Sequence, residues 1–254
     1  MKRSGIGIAL AVLLVVLLAA CDGGATATPS PEATLPIITF EAPGEGDAAS
    51  APNPLEVPLS GPLTERPVSI GSEIESFDFS QPGTFEEGDY DPSGLFIRDG
   101  VYEIVAATGG FWWGQGGTIH TDAAVEAEVV RTDLTIARQA LYGVMCRADP
   151  ANTGDGYVFA IGPNGEVSIM RGEGDGYQDL FSARTEAVRE GTNTVRGVCV
   201  GSYLALYVND EFVVAVEDST YTSGVPALVA GGAPNNVMTI AFDNLRVFNA
   251  AMAE

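Results

Sequence analysis

The chain has 254 residues, with 34 Asp or Glu against 12 Lys or Arg, and its formal net charge is −22. This balance excludes nucleic-acid binding, which needs clustered cations along the phosphate backbone. Lys2 is the only lysine and lies in a segment that we expect to be removed, so Schiff-base and Walker-type phosphate chemistry are excluded too. Hydrophobic residues make up 46% of the chain, enough for a buried core in one or two domains.

Residues 1–21 have the pattern of an export signal. Lys2 and Arg3 precede an uncharged, mostly apolar run over 5–20, which ends in Leu18-Ala19-Ala20-Cys21. As a helix this run would span about 24 Å, less than the roughly 30 Å of a bilayer core, which disfavours a permanent membrane span. The ending resembles the lipobox of bacterial lipoproteins, in which the cysteine is acylated. We therefore expect a lipoprotein anchored in the cell membrane through Cys21, on the extracytoplasmic face. A plain secretory signal and an uncleaved anchor are the alternatives.

Residues 22–69 have the composition of a disordered tether. Nine of the fifteen prolines fall here, among Ala, Thr, Ser, Gly and Glu. Such a segment buries too little apolar surface to offset its ordering entropy. Proline favours extended polyproline II conformations, so the tether could reach up to about 150 Å at roughly 3.1 Å per residue. We expect it to hold a domain away from the membrane.

Residues 70–254 are predicted to form one all-β domain. Short alternating or β-branched runs recur with turn residues between them, and no sustained helical period is present. Asp99-Gly100, Asn164-Gly165 and Asn209-Asp210 favour tight antiparallel hairpins, and a phase slip at Asp243-Asn244 predicts a β-bulge. Because a single sheet of so many strands would leave too much exposed edge, we expect two packed antiparallel sheets. The predicted strands are 77–79, 95–98, 101–106, 124–132, 140–148, 156–162, 166–171, 194–200, 203–209, 211–217, 227–230 and 238–248.

The cysteine pattern is consistent with export to an oxidising compartment. With Cys21 lipidated, Cys146 and Cys199 remain as an even pair, each on the face that its strand shares with apolar neighbours. We expect a disulfide, which would stabilise the fold by about 4 kcal/mol in the chain-entropy model. Two buried free thiols are the alternative.

Several segments carry a family resemblance. They are YGVMCR at 142–147 with Asp149 and Asn152, GYVFAI at 156–161, NTVRGVCVG at 193–201, LALYVN at 204–209 and FDNLRV at 242–247. Together they are similar to the strands of concanavalin A-like and laminin-G-like jelly rolls, particularly those of bacterial surface lipoproteins and of the 3-keto-disaccharide hydrolase group. The resemblance covers most of 70–250 and implies a two-sheet antiparallel jelly-roll sandwich. These motifs consist of turn and core residues, so they indicate fold rather than activity.

No catalytic residue can be assigned from the sequence. Glycosidases of this fold carry a Glu-x-Asp-x-x-Glu motif that places paired carboxylates on one strand face. The nearest match, at 173–178, ends in Gln178 and lies in a glycine-rich turn. His120 is the only histidine, and no Ser or Cys nucleophile has an identifiable partner.

The strongest candidate for ligand binding is GGFWWGQGG at 109–117, which contains both tryptophans. Aromatics flanked by glycines can present flat faces to sugar rings, so Trp112 and Trp113 are predicted ligand contacts. Tyr157, Tyr177 and Arg147 on the middle strands are further candidates. The alternative is that Phe111 and Trp113 belong to the core and Trp112 covers an edge.

Calcium is the possible cofactor. Asp149, Asn152 and Asp155 offer oxygen ligands at three-residue spacing, as a hard cation would accept. The same residues also form turns without metal, which is the competing interpretation.

The expected function is glycan binding by a membrane-anchored domain. The predicted domain carries 27 acids against nine Arg, so a neutral or cationic glycan is favoured over an anionic one. Hydrolysis of a 3-keto-disaccharide or another glycoside is one alternative, and a non-catalytic protein-interaction or structural module is another.

Overall fold

A computed structural model describes residues 61–107, 110–133, 140–174, 176–232 and 238–253. Within these residues all regular structure is β, which confirms the predicted class, and none forms a helix capable of crossing a bilayer. The strands are β1 (Val68–Phe77), β2 (Gly88–Tyr90), β3 (Ser93–Arg98), β4 (Val101–Ala106), β5 (Gly110–Gln115), β6 (Ala123–Asp133), β7 (Ala140–Ala148), β8 (Gly156–Ile161), β9 (Glu166–Glu173), β10 (Gly176–Arg184), β11 (Asn193–Val200), β12 (Tyr203–Val208), β13 (Glu211–Glu217), β14 (Val225–Gly232) and β15 (Met238–Met252).

The strands form two antiparallel sheets. The nine-stranded sheet has the order β13-β12-β11-β6-β15-β4-β3-β2, with β1 also pairing with β15. The six-stranded sheet has the order β10-β9-β8-β7-β14-β5. Strands β2 and β5 therefore each lie at an edge of a sheet. The two-sheet sandwich expected from the strand count is confirmed.

The main core lies between the two sheets. Tyr142, Val144 and Cys146 on β7 face Val195 and Cys199 on β11, and all five are at most 3% exposed. Cys146 and Cys199 form the predicted disulfide, with their Cα atoms 6.7 Å apart. Because β7 and β11 belong to different sheets, the bond ties the two layers of the sandwich together.

The predicted turns are present. Asp99-Gly100 joins β3 to β4 and Asn209-Asp210 joins β12 to β13, with positive φ at all four residues, as tight hairpins require. In β15 the register shifts between Asp243 and Arg246, where Asn244 has φ of 51°. This is the predicted bulge, and it lets the strand keep apolar residues inward on both sides of the slip.

The folded part of the chain includes residues that the sequence placed in the tether. Strand β1 begins at Val68, two residues before the predicted start at 70, and Leu63 forms an isolated bridge with Ala215 on β13. Arg66 forms an ion pair with Glu217 and lies over the ring of Tyr203. These contacts order the end of the tether against the nine-stranded sheet. Cys21, the signal segment and residues 22–60 lie outside the described residues.

Candidate functional site

The glycine-flanked aromatic segment is strand β5, at the edge of the six-stranded sheet. Because side chains alternate along a strand, Trp112 packs toward the core between the sheets, whereas Phe111 and Trp113 pack on the outer face. All three are partly exposed. These rings therefore contribute to packing and also reach the surface, and their contact with a ligand stays a prediction.

Glycine at position 114 is required by a side chain from the other sheet. A Cβ there would overlap the hydroxyl of Tyr102 on β4, which is fully buried. The Tyr102 hydroxyl donates a 2.6 Å hydrogen bond to the backbone carbonyl of Glu86. The small residue therefore allows a core tyrosine to hold the segment that carries Glu86 against β5.

A cavity of about 260 Å³ opens beside this edge, and we call it the aromatic cavity. Its buried floor includes Leu95 on β3. Strand β2 contributes Tyr90, which is 48% exposed and whose ring centroid lies 5.5 Å from that of Trp112. The side chains that carry its chemistry are Tyr90, Phe111, Trp112, Trp113, Glu86 and Asn152. The cavity thus combines the edges of both sheets.

A hydrogen-bonded chain fixes the polar side of the aromatic cavity. Trp113 Nε1 donates to Asn152 Oδ1 at 2.6 Å, and Asn152 Nδ2 donates to Glu86 Oε1 at 2.9 Å. Glu86 Oε2 accepts a 3.2 Å bond from the backbone N–H of Gln115. The carboxylate is therefore held in place by two donors, and each oxygen keeps capacity for a further bond.

The outer face of the six-stranded sheet is apolar as well. Met145, Val158, Met170 and Val229 are at most 3% exposed there, beneath partly buried side chains that include Phe111, Trp113 and Tyr177. The rings of Tyr177 and Phe111 lie 4.4 Å apart, although their strands stand at opposite edges of this sheet. Burial raises the pKa of the Tyr177 hydroxyl. Tyr177 thus belongs to the aromatic surface next to the cavity but does not line it.

Two of the predicted ligand contacts are structural, which corrects the prediction for them. Tyr157 is fully buried, donates a 2.6 Å bond to Asp218 and accepts one from the backbone of Tyr221. Burial and this bond to Asp218 raise its pKa. Arg147 is 4% exposed, and its guanidinium donors bind acceptors within the protein. Its guanidinium donates to the carbonyls of Thr121, Gly201 and Tyr221 and to Asp122.

The proposed calcium ligands accept hydrogen bonds from protein groups. Asp149 accepts bonds from the backbone of Ala151 and the hydroxyl of Thr153, which lower its pKa. Asp155 accepts from the backbone of Gly174, and Asn152 is bonded to Trp113 and Glu86. Within the described ranges no cluster of three or more His, Cys, Asp or Glu could hold a metal. The triplet therefore forms a turn, and its contribution to a site is the placement of Asn152.

His120 does not form a catalytic relay. Its Nε2 lies 3.1 Å from Glu75 and 3.2 Å from the Thr118 hydroxyl. A nucleophile–base–acid relay would need the two partners on different ring nitrogens. The pair instead connects β1 to the loop after β5.

Sequence reasoning missed Glu86 and Tyr90. Both lie in an acidic segment without a motif, and Tyr90 is separated from Trp112 by two strands and their connections. Their only sequence signal is an aromatic and a carboxylate close together between predicted strands. Their placement depends on the meeting of two sheet edges, which no local pattern encodes.

Comparison with known proteins identifies the fold. Neither a protein-family model nor a curated sequence matches the chain. Among solved structures, a carbohydrate-binding module, CBM66, from Bacillus subtilis is 15% identical over 70% of this chain and 98% of its own, with a TM-score of 0.50. A Bacillus subtilis protein of unknown function with a galectin-like fold is 11% identical over 73% of this chain and 100% of its own, with a TM-score of 0.51. A β-glucanase from Bacillus licheniformis is 7% identical over 70% and 98%, with a TM-score of 0.50. At these identities the likeness shows the fold alone: the domain is a concanavalin A-like jelly roll.

Proposed function

We propose that this protein binds a glycan in the aromatic cavity. The observation that carries the proposal is the meeting of four partly exposed aromatic rings with a carboxylate and an amide that are fixed by hydrogen bonds. A sugar presents an apolar face of C–H groups and a rim of hydroxyls. The rings can stack on that face, while the oxygens of Glu86 and Asn152 can accept from hydroxyls.

The size of the cavity supports a short contact. Pockets for drug-sized ligands enclose about 300–1,000 Å³, so 260 Å³ suits about one sugar ring. Because the cavity opens at an edge shared by the two sheets, the rest of a longer glycan can continue along the surface. The carbohydrate-related names of the B. subtilis module and the B. licheniformis enzyme are compatible with this proposal.

Binding is favoured over hydrolysis. Retaining and inverting glycosidases need two carboxyl groups about 5–9.5 Å apart across the scissile bond. Of the residues that the structure describes, Glu86 is the single carboxylate lining the aromatic cavity. The cavity therefore has groups that can bind a sugar but lacks the pair of carboxyl groups that glycoside hydrolysis needs.

We also propose that a lipid anchor at Cys21 attaches the folded domain to the membrane through the tether. The anchor itself is tested by labelled fatty-acid incorporation in a bacterial host, which Cys21→Ser should abolish. Labelling of the Ser variant would contradict acylation at this residue.

The binding proposal is tested by a glycan screen on the full-length protein, followed by calorimetric titration of the best ligand. Tyr90→Ala should weaken binding by about threefold to tenfold, since an aromatic contact contributes about 0.5–1.5 kcal/mol. Because Tyr90 is half exposed, this change should leave the fold intact. Tyr207→Ala is the matched control, because Tyr207 packs on the nine-stranded sheet with Phe212, away from the cavity.

Equal affinities for wild type and Tyr90→Ala, with an intact circular dichroism spectrum, would contradict the proposed site. Removal of calcium with a chelator should leave the affinity unchanged, since the acidic turn spends its oxygens internally. Release of a shorter sugar during incubation would favour the hydrolase alternative.

A further inference from the structure

The aromatic cavity is negatively polarised. It contains Glu86, and no cationic side chain lines it among the residues that the structure describes. The segment 73–103, which supplies Glu86 and Tyr90 to the cavity, carries nine Asp or Glu residues and a single arginine, Arg98. The field at this edge attracts cations and repels carboxylated or sulfated sugars.

The aromatic rings add a second preference for positive charge. The faces of Trp, Tyr and Phe are negative, and a cation within about 6 Å of a ring centroid is stabilised by about 0.5–2 kcal/mol. Two tryptophans, a tyrosine and a phenylalanine line this cavity. Rings of these types beside a carboxylate are the groups with which proteins recognise ammonium ligands.

Glu86 is prepared for such a ligand. Its backbone carbonyl is held by Tyr102, and its two carboxylate oxygens are bonded to Asn152 and to the Gln115 backbone. Neither donor carries a full positive charge, so the carboxylate is not neutralised. Among the described residues Glu86 has no ion-pair partner, so an incoming ammonium would pair with it in a partly desolvated cavity, where such a contact is stronger than in water.

We infer that the aromatic cavity selects a glycan with protonated amino groups, such as a polymer of de-N-acetylated amino sugar. The sugar ring stacks on the aromatic faces, and its ammonium group lies against Glu86. This inference rests on the proposed function and names its substrate class. It narrows the glycan to a cationic one, because the Glu86 carboxylate can pair with an ammonium group as well as accept from hydroxyls.

The test compares two tetrasaccharides that differ only in their amino groups: the glucosamine tetramer and the N-acetylglucosamine tetramer. Full-length protein is titrated by calorimetry at low salt, at a pH below the pKa of the amine. The glucosamine tetramer should bind about tenfold more tightly, and the difference should shrink as salt is raised.

Glu86→Gln should weaken binding of the glucosamine tetramer more than binding of the acetylated tetramer, and so remove most of this preference. Asp89→Asn is the matched control, because it removes the same unit of charge from exposed Asp89 on β2, which does not line the cavity. It should retain the preference.

The outcomes separate the two proposals. Equal or tighter binding of the acetylated tetramer would overturn the cationic preference and leave glycan binding standing. A preference that survives Glu86→Gln would overturn the role of this carboxylate. If neither these tetramers nor any glycan on the screen binds, the proposed function fails as well.

Discussion

Replacing Arg147 with methionine should cost the protein about 3–5 kcal/mol of unfolding free energy, the range expected when one partner of a buried charged network is removed. Arg147 is nearly fully buried and donates to three backbone carbonyls and to Asp122. Methionine fills much of the same volume but leaves those carbonyls without their donors. A hydrogen bond contributes about 0.5–1.5 kcal/mol net, so the four bonds that are lost account for about 2–6 kcal/mol, which includes this range.

Urea unfolding of the disulfide-bonded protein, followed by circular dichroism, measures this loss. With an m-value of about 2 kcal/mol per molar, the midpoint should fall by about 1.5–2.5 M. Arg184→Met is the control, because Arg184 is exposed on β10, and its midpoint should change little. A shift below about 0.5 M for Arg147→Met would refute the structural role and reopen Arg147 as a ligand contact.

Three further changes have defined outcomes. Replacing Cys146 and Cys199 together with alanine should lower the unfolding free energy by about 4 kcal/mol in the chain-entropy model, measured by urea unfolding; a loss below about 1 kcal/mol would contradict it. Although burial opposes it, hydrogen bonds from Tyr157, Thr220 and Arg171 lower the pKa of Asp218. The ionised Asp218 therefore contributes to the free energy of unfolding at pH values above its unfolded pKa of about 3.9. This contribution is lost as the pH falls through the lower pKa of the folded state. Asp218→Asn should thus be less stable at pH 7 but lose less melting temperature than wild type between pH 5 and pH 2; identical losses would contradict this linkage. Gly114→Ala should lower the free energy of unfolding by about 1–3 kcal/mol through overpacking. It should also weaken glycan binding, because it displaces Tyr102 from the Glu86 carbonyl. Full affinity in calorimetry would show that the Tyr102–Glu86 contact does not support the binding site.

Local patterns were sufficient to predict much of the fold. The hairpin at Asp99-Gly100 and the bulge at Asp243-Asn244 follow from backbone conformations that few other residues adopt. The Cys146–Cys199 pairing followed from cysteine number and strand phase. These features depend on neighbours in sequence, so the sequence contains their signals.

Two of the strands that were missed, β5 and β10, lack such signals. Strand β10 (Gly176–Arg184) is an edge strand with little buried surface, so its alternation is weak. Strand β5 is rich in glycine, which is unfavourable in a strand, yet Gly114 is needed to admit Tyr102. In both strands tertiary contacts outweigh local propensity.

The candidate site was half predictable. The tryptophans were identifiable as unusual, but their partners Glu86 and Tyr90 come from a different sheet edge. Tyr157 and Arg147 were predicted as ligand contacts, but the structure gives them internal partners. They lie on strands that are apolar on both faces, and only the structure shows that Arg147 binds the Thr121 and Tyr221 carbonyls and that Tyr157 binds the Tyr221 backbone.

The most direct measurement of the central claim uses intrinsic fluorescence. Trp112 and Trp113 are the only tryptophans in the chain, and both line the aromatic cavity. Titration of full-length protein with the glucosamine tetramer should shift tryptophan emission to shorter wavelength in a saturable manner and protect both rings from acrylamide quenching. The affinity should match calorimetry, and it should fall in Tyr90→Ala. Unchanged emission and quenching, under conditions where calorimetry detects glycan binding, would place the ligand elsewhere and contradict the account.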